Sequence, residues 1–188
     1  MPEFCAVIPV YEHGRCVGRV VDALLRCGLT AIVIDDGSGP DCARQLDEIA
    51  RTDGRIQLLR HQSNQGKGAA VQTGLRAAAA LGYTHALQLD ADGQHDLADV
   101  PRFLAEARAH PRAVICGLPR FGPDAPRSRL YGRRLTNFWV SVNTWSTDVP
   151  DAMCGFRVYP LGATVPLLDR SRHGSRMDFD IEIIVRLH

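Results

Sequence analysis

The sequence predicts an α/β fold of three layers, with helices on both faces of a mostly parallel central sheet. Two patterns carry this expectation. Short, almost wholly apolar runs at residues 4–10, 30–34 and 86–89 read as strands buried on both faces. Between them lie segments of about a dozen residues with apolar positions three and four apart, the period of an amphipathic helix. A third observation marks the working edge. Polar stretches follow the strands, and in open α/β sheets the strand C-termini form the ligand crevice.

Taken in order, residues 4–10 form the first strand, with Pro9 near its end where a missing N–H is tolerated. Residues 15–27 place Val17, Val20, Val21, Leu24 and Leu25 on one helical stripe, with Gly28 as the stop. Residues 30–34 are a second strand, 41–52 a helix, 56–59 a third strand and 69–81 an alanine-rich helix ended by Gly82. The fourth strand, 84–89, empties into Asp90-Ala91-Asp92-Gly93-Gln94-His95. Residues 96–110 read as a helix with Asp96 as N-cap, and Pro101 requires a place in its first turn or a kink. Residues 113–116 are a fifth short strand.

The second half changes character. Residues 118–134 read as irregular, with Pro119, Pro123 and Pro126 among Arg120, Arg127, Arg129, Arg133 and Arg134. Residues 135–145 are amphipathic and hold both tryptophans, Trp139 and Trp145. Residues 151–159 resemble a loop entering a strand, 170–177 a basic loop and 178–188 a helix. That last helix reads as cut short. The whole is expected to be one domain, 1–188, with a nucleotide-binding half at 1–117 and an acceptor-side half at 118–188.

Bulk properties narrow the function. A chain of 188 residues can bury a sizeable single core, and its 45% hydrophobic and 23% charged content is that of ordinary globular proteins. A net charge of +1 gives no general electrostatic case for nucleic acid. The six cysteines are scattered with no Cys-x-x-Cys, so neither a zinc site nor a redox motif is indicated. Several fall inside apolar runs and read as reduced, buried thiols, and the expected location is cytoplasmic. No signal peptide is visible, and no apolar run approaches the ~20 residues of a membrane helix.

The acidic stretch after the fourth strand is the centre of the site. Alternation along an extended chain puts Asp90 and Asp92 on one side. Two hard oxygen donors at a sheet mouth suit Mg²⁺ or Mn²⁺ on a diphosphate, although Asp and Gly also make a plain polar turn. An EF-hand loop starting at Asp90 fails, because His95 and Pro101 stand where Gly and Glu are needed. A haloacid-dehalogenase-type phosphatase would want Thr where Gln94 stands. The loop after the first strand lacks the glycines of a dinucleotide fold, and Gly66-Lys67-Gly68 lacks the rest of a Walker loop. Asp35-Asp36-Gly37-Ser38 can accept from a nucleoside or cap a helix. Lys67 at a helix start can help hold phosphate or be a solvated lysine. The arginines of 120–134 favour anion binding beside that crevice.

Five stretches now occur in one order: Val7-Ile8-Pro9-Val10-Tyr11-Glu12, Asp35-Asp36-Gly37-Ser38, Asn64-Gln65-Gly66-Lys67-Gly68-Ala69, Asp90-Ala91-Asp92-Gly93-Gln94-His95 and Cys154-Gly155-Phe156-Arg157. Together they resemble an inverting family 2 glycosyltransferase of the GT-A fold, and within it the dolichyl/polyprenyl-phosphate sugar transferases. The resemblance implies a nucleotide-sugar donor, a hexosyl group transferred to a lipid phosphate or similar amphipathic acceptor, and Mg²⁺ or Mn²⁺. It implies that Pro9, Tyr11, Glu12 and Asp36 line the nucleoside pocket with Asp35 in support, that Lys67 lies near the donor and that Asp90 faces the ribose and metal side. It implies that Asp92 with Gln94 holds the cation. Arg120 and Arg134 are the candidates for the phosphates, Asp151 for a general base and Glu182 for the acceptor side. A nucleotidyltransferase or phosphatase on the same metal, and a nucleotide-sugar-binding module without catalysis, are the alternatives. The helix with Trp139 and Trp145 allows peripheral membrane contact, but burial of both tryptophans in the core is the stronger expectation.

Overall fold

The computed structural model describes residues 3–119, 127–146, 149, 151–170, 173–176 and 178–188; within 127–135 it describes the backbone alone. The elements run β1 (Phe4–Val10), α1 (Gly14–Arg26), β2 (Thr30–Asp35), α2 (Pro40–Thr52), β3 (Ile56–Arg60), α3 (Lys67–Ala80) and β4 (His85–Gln88). After a 3₁₀ turn at Leu97–Asp99 come α4 (Val100–Ala109), β5 (Ile115–Cys116), α5 (Arg127–Thr144), β6 (Arg157–Pro160), α6 (Leu161–Arg170) and α7 (Asp178–Leu187).

The strands form one sheet in the order β3-β2-β1-β4-β6-β5. β1, β2, β3 and β4 pair in parallel, as the βαβ pattern requires. β6 is antiparallel to both β4 and β5, so it alone runs the other way. Its first residue, Arg157, pairs with Gln88 at the end of β4 and with Cys116 at the end of β5. The reversal therefore brings the turn before β6 to the rim where the parallel strands end.

Alternation along β1 divides the core. Phe4, Ala6, Ile8 and Val10 face one layer with Val17, Val20 and Leu24 of α1, Leu46 of α2 and Phe103 and Leu104 of α4. Cys5 and Val7 face the other, with Ala70, Val71 and Leu75 of α3, Leu168 of α6 and Phe179 and Ile183 of α7. Both faces of the central strands are dry, which is why their sequences are apolar runs rather than alternating ones.

Local signals set the boundaries. Gly28 takes φ +78° as Leu29 N–H closes back to the Leu24 carbonyl, and Gly82 at φ +84° ends α3 in the same way. Asp96 accepts from Ala98 N–H at 3.0 Å, so it caps the 3₁₀ turn, and Pro101 falls in the first turn of α4. The second half departs from expectation. The helix expected from residue 135 begins at Arg127, directly after Pro126, because the arginine-rich stretch contains good helix formers and no further proline. α6 was not expected; Gly162 and Pro166 interrupt its pattern. The tryptophans are not core. Trp139 is 56% exposed and Trp145 95% exposed.

Candidate active site

The loops after β1, β2, β3 and β4 and the turn before β6 share one rim; hydrogen bonds join the first three loops and an ion pair from Lys67 reaches the fourth. After β1, Glu12 takes φ +59° and its carboxylate accepts from Gly39 N–H at 2.6 Å, while its own N–H donates to Ser38 Oγ. Pro9 is buried within β1, and Tyr11 stands out from the rim, half-exposed.

Asp35 and Asp36 are both buried, with different tasks. Asp35 accepts from Ser38 N–H at 2.9 Å and from Arg60 Nε at 2.7 Å. Burial pushes its carboxyl up, but the Ser38 and Arg60 hydrogen bonds outweigh that and hold it below the usual carboxylate range. Asp36, 2% exposed, accepts from His61 Nδ1 at 2.7 Å and from the N–H groups of Gln65 and Gly66 at 2.9 and 2.8 Å. It thereby shapes the 61–66 loop. Gly37, at φ +72°, lies so close to the Ser63–Asn64 backbone that only a hydrogen fits.

Lys67 opens α3, yet its ammonium turns inward rather than toward solvent. Nζ lies 2.7 Å from Asp90 Oδ1 and 3.1 Å from Asp180 Oδ2. Burial alone would lower its pKa, but the two carboxylates raise it above the ordinary lysine value. The α3 N-terminus is not an open phosphate cradle either: the Ser175 carbonyl accepts from Ala69 N–H at 3.0 Å. The 173–176 loop thus lies over the start of α3.

Asp90 also lies 3.5 Å from His95 Nε2. Burial pushes its carboxyl up, and His95 and Lys67 overcome this to bring it down to about 2. Asp92 is half-buried and accepts from the Gln94 backbone N–H at 2.9 Å, so this Asx turn presents the carboxylate at the rim. The Gln94 side chain is exposed beside it. His95 is held by Phe156, which stacks in turn on Phe103. A groove of 960 Å³ opens there, lined by Gln94, His95, Cys116, Pro119, Cys154 and Phe156 among others.

Asp151, 3% exposed, accepts from the N–H groups of Met153 and Cys154 at 2.8 and 3.0 Å and so fixes the turn into β6. Glu182 accepts from Gly174 N–H at 2.7 Å and pairs with Arg186, tying the 173–176 loop to α7. Arg120 lies outside the described residues, and for Arg134 only the backbone, within α5, is described.

Two further residues belong to the site, neither given a role from the sequence, although Arg157 closes one of the five stretches quoted above. Asp180, buried at the start of α7, accepts from Gln88 Nε2 at 3.1 Å. Arg157, fully buried, donates to the carbonyls of Asp180 and Ala152 at 2.5 and 2.6 Å and to the Tyr159 hydroxyl at 3.2 Å. A signal for Asp180 existed: it sits on the same stripe as Ile183 and Ile184, a carboxylate on the apolar face of a helix.

Among the described residues no three His, Cys, Asp or Glu side chains form a ready cation cage. The donor set still suits Mg²⁺ or Mn²⁺, since Mg²⁺ is commonly held by one or two carboxylates together with substrate phosphates.

Residues 5–164 match the family model for glycosyl transferase family 2. The chain belongs to that family. It is 24% identical over 182 residues to a UDP-N-acetylglucosamine–dolichyl-phosphate N-acetylglucosaminyltransferase of Methanococcus voltae, covering 88% of this chain and 72% of the relative. It is 29% identical over 163 residues to a polyprenol monophosphomannose synthase of Mycolicibacterium smegmatis, covering 81% and 60%. Its fold superposes on a mannosyltransferase of Pyrobaculum calidifontis, solved with GDP-Man and Mn²⁺, at a TM-score of 0.66 and 16% identity. That match covers 99% of this chain and 52% of the other, so the chain spans about half the length of that solved structure. The family 2 domain thus has the three-layer GT-A architecture.

Proposed function

We propose that this family 2 domain catalyses inverting transfer of a sugar from a nucleotide-sugar donor to a polyprenyl phosphate or similar amphipathic phosphate. The observation that carries this is the position of Asp90 and Asp92 at the end of β4, on the rim that also gathers the Glu12, Asp35–Asp36 and 61–66 loops. The relatives named for dolichyl-phosphate and polyprenol transfer support the acceptor class.

The residues divide the work by chemistry. Pro9, Tyr11, Glu12 and the 61–66 loop form the nucleoside end, with Asp35 and Asp36 bracing it from beneath. Asp92, with Asp90 and the Gln94 turn, holds the divalent cation. Bound there, Mg²⁺ or Mn²⁺ supplies Lewis-acid charge for the departing diphosphate. An acceptor phosphate is already ionised and attacks the face opposite the leaving group without a base. Asp151, the candidate base for a hydroxyl acceptor, is buried and holds the Met153 and Cys154 N–H groups, which favours a turn-fixing role and an acceptor that needs no base. Arg120 and Arg134 supply cationic charge for the phosphates. In this division 1–117 serves the donor and 118–188 the acceptor.

The test is release of nucleoside diphosphate from UDP- and GDP-sugars with polyprenyl phosphate and Mn²⁺. Asp92→Ala should lower transfer about 100-fold or more, the usual effect of losing one preorganised partner of the developing charge. Full transfer by that variant with every donor would overturn the cation assignment. Stabilisation by nucleoside diphosphate and Mn²⁺ with no turnover would instead identify a binding module.

The exposed Phe138 and Trp139 of α5, with Trp145 just past its end, support contact with the membrane carrying the acceptor. No helix among the described residues is long and apolar enough to cross one. The protein should cosediment with anionic vesicles, and replacing both tryptophans by Ser should weaken that; unchanged sedimentation would exclude α5.

A further inference from the structure

The Lys67 ammonium stands between two carboxylates with different attachments. Asp90 belongs to the loop after β4 and opens toward the rim. Asp180 is fixed beneath it by Gln88 Nε2 at 3.1 Å and by the neighbouring Arg157, whose guanidinium lies 3.8 Å from Asp180 Oδ1. Nothing about the Asp180 position depends on Asp90, so the ammonium has an anchored acceptor to stay on if Asp90 is drawn away. Residue 155 packs directly against the pair and is glycine. A Cβ there would come within 2.7 Å of Lys67 Nζ and 3.0 Å of Asp90 Oδ2.

We propose that Lys67 is a built-in rival of the divalent cation, occupying Asp90 in the nucleotide-free protein and yielding it when a nucleoside diphosphate arrives with the metal. The inference rests on the assignment of Asp90 and Asp92 to the cation. Its physical basis is that the Asp90 carboxylate is already neutralised by an ammonium 2.7 Å away. A cation arriving alone gains little from Asp90 and is repelled by Lys67. A cation arriving with a diphosphate brings further anionic oxygens, and the exchange becomes favourable. The ammonium then stays on Asp180 Oδ2, 3.1 Å away, while Gln88 and Arg157 flank Oδ1. Lys67 is therefore a positioning residue that couples metal binding to donor binding, and it acts through Asp90.

The experiment measures Mn²⁺ binding to the full chain from the electron paramagnetic resonance signal of the free ion, with and without UDP or GDP. Lys67→Gln removes the charge but keeps amide donors for both carboxylates. It should bind Mn²⁺ alone about tenfold or more tighter than the unaltered chain, the order expected on removing a unit charge a few ångströms from the ion. Lys67→Arg, which restores the charge, should return the weak binding. Lys67→Met serves the same purpose if Lys67→Gln does not fold. A folded, uncharged variant that binds Mn²⁺ alone no tighter than the unaltered chain overturns the proposal. If the unaltered chain binds Mn²⁺ with nucleotide and Asp92→Asn leaves that binding unchanged, the cation site itself is misplaced, and Lys67 is not what failed.

Discussion

Asp90 shows how much a single side chain can depend on partners that sequence separation hides. Its carboxyl titrates near 2 because His95 and Lys67 favour the charged form more than burial disfavours it. The folded value lies below the ordinary 3.8, so the stabilisation is present above about pH 4 and is lost as pH falls toward 2. Its size is roughly 2 kcal/mol. Urea denaturation of Asp90→Asn should therefore show a shallower loss of stability between pH 5 and pH 2 than the unaltered chain. Equal slopes would mean that the Lys67 and His95 contacts do not favour the ionised carboxyl. From the sequence, Asp90 and Asp92 were visible as two carboxylates closing an apolar strand. That Lys67 turns to Asp90 and Asp180, and that Asp36 holds a distant loop, was not visible. Those pairings are made by the sheet order, and no local pattern encodes them.

Among the elements, α3 has the most constrained beginning. Gly66 takes φ +99°, and Gly68 lies against α7 so closely that a Cβ would stand 2.5 Å from Phe179 Cβ and 2.7 Å from the Arg176 carbonyl. Two effects oppose each other in Gly68→Ala. Helix propensity favours alanine by about 1 kcal/mol. Overpacking against fixed backbone costs about 1–3 kcal/mol. The clash with backbone should win, giving net destabilisation and a displaced 173–176 loop. A lower urea midpoint checks this; a raised one would show that α7 retreats at little cost. Helix stops, caps and apolar runs were legible because they are local: Gly28, Gly82 and Asp96 each act within a few residues. The start of α5 and the whole of α6 were not, since prolines and glycines obscure the period there. The tryptophans misled for another reason. An amphipathic period states that a helix has an apolar face, but not whether that face meets the core or the solvent.

For the molecule as a whole, the buried charges join its two halves. Arg157 at the start of β6 reaches the Asp180 carbonyl on α7 and the Ala152 carbonyl of the preceding turn, while Gln88 of β4 holds the Asp180 carboxylate. Arg157→Met would leave Asp180 with Lys67 as its one close cation among the described residues, and would remove the donors to the Ala152 and Asp180 carbonyls. A loss of about 3–5 kcal/mol is expected, read as a fall in denaturation free energy at neutral pH. A loss below about 1 kcal/mol would show that the network relaxes around the gap. The parallel three-layer plan was legible from alternating strands and helices. The reversed direction of β6 was not, because an apolar strand reads the same either way along the sheet.

That reversal has a topological consequence. The Gly117 N–H donates to the Phe156 carbonyl at 2.9 Å, so the stretch between them leaves the sheet and returns at almost the same spot. A segment whose two ends are pinned side by side behaves as a cassette: its length and composition can change at a small entropic cost, since closure depends only weakly on loop length. Exchanging 118–150 between related domains, with the Asp151–Gly155 turn kept, should thus retune what approaches the groove while the strands that hold the nucleotide end stay in register.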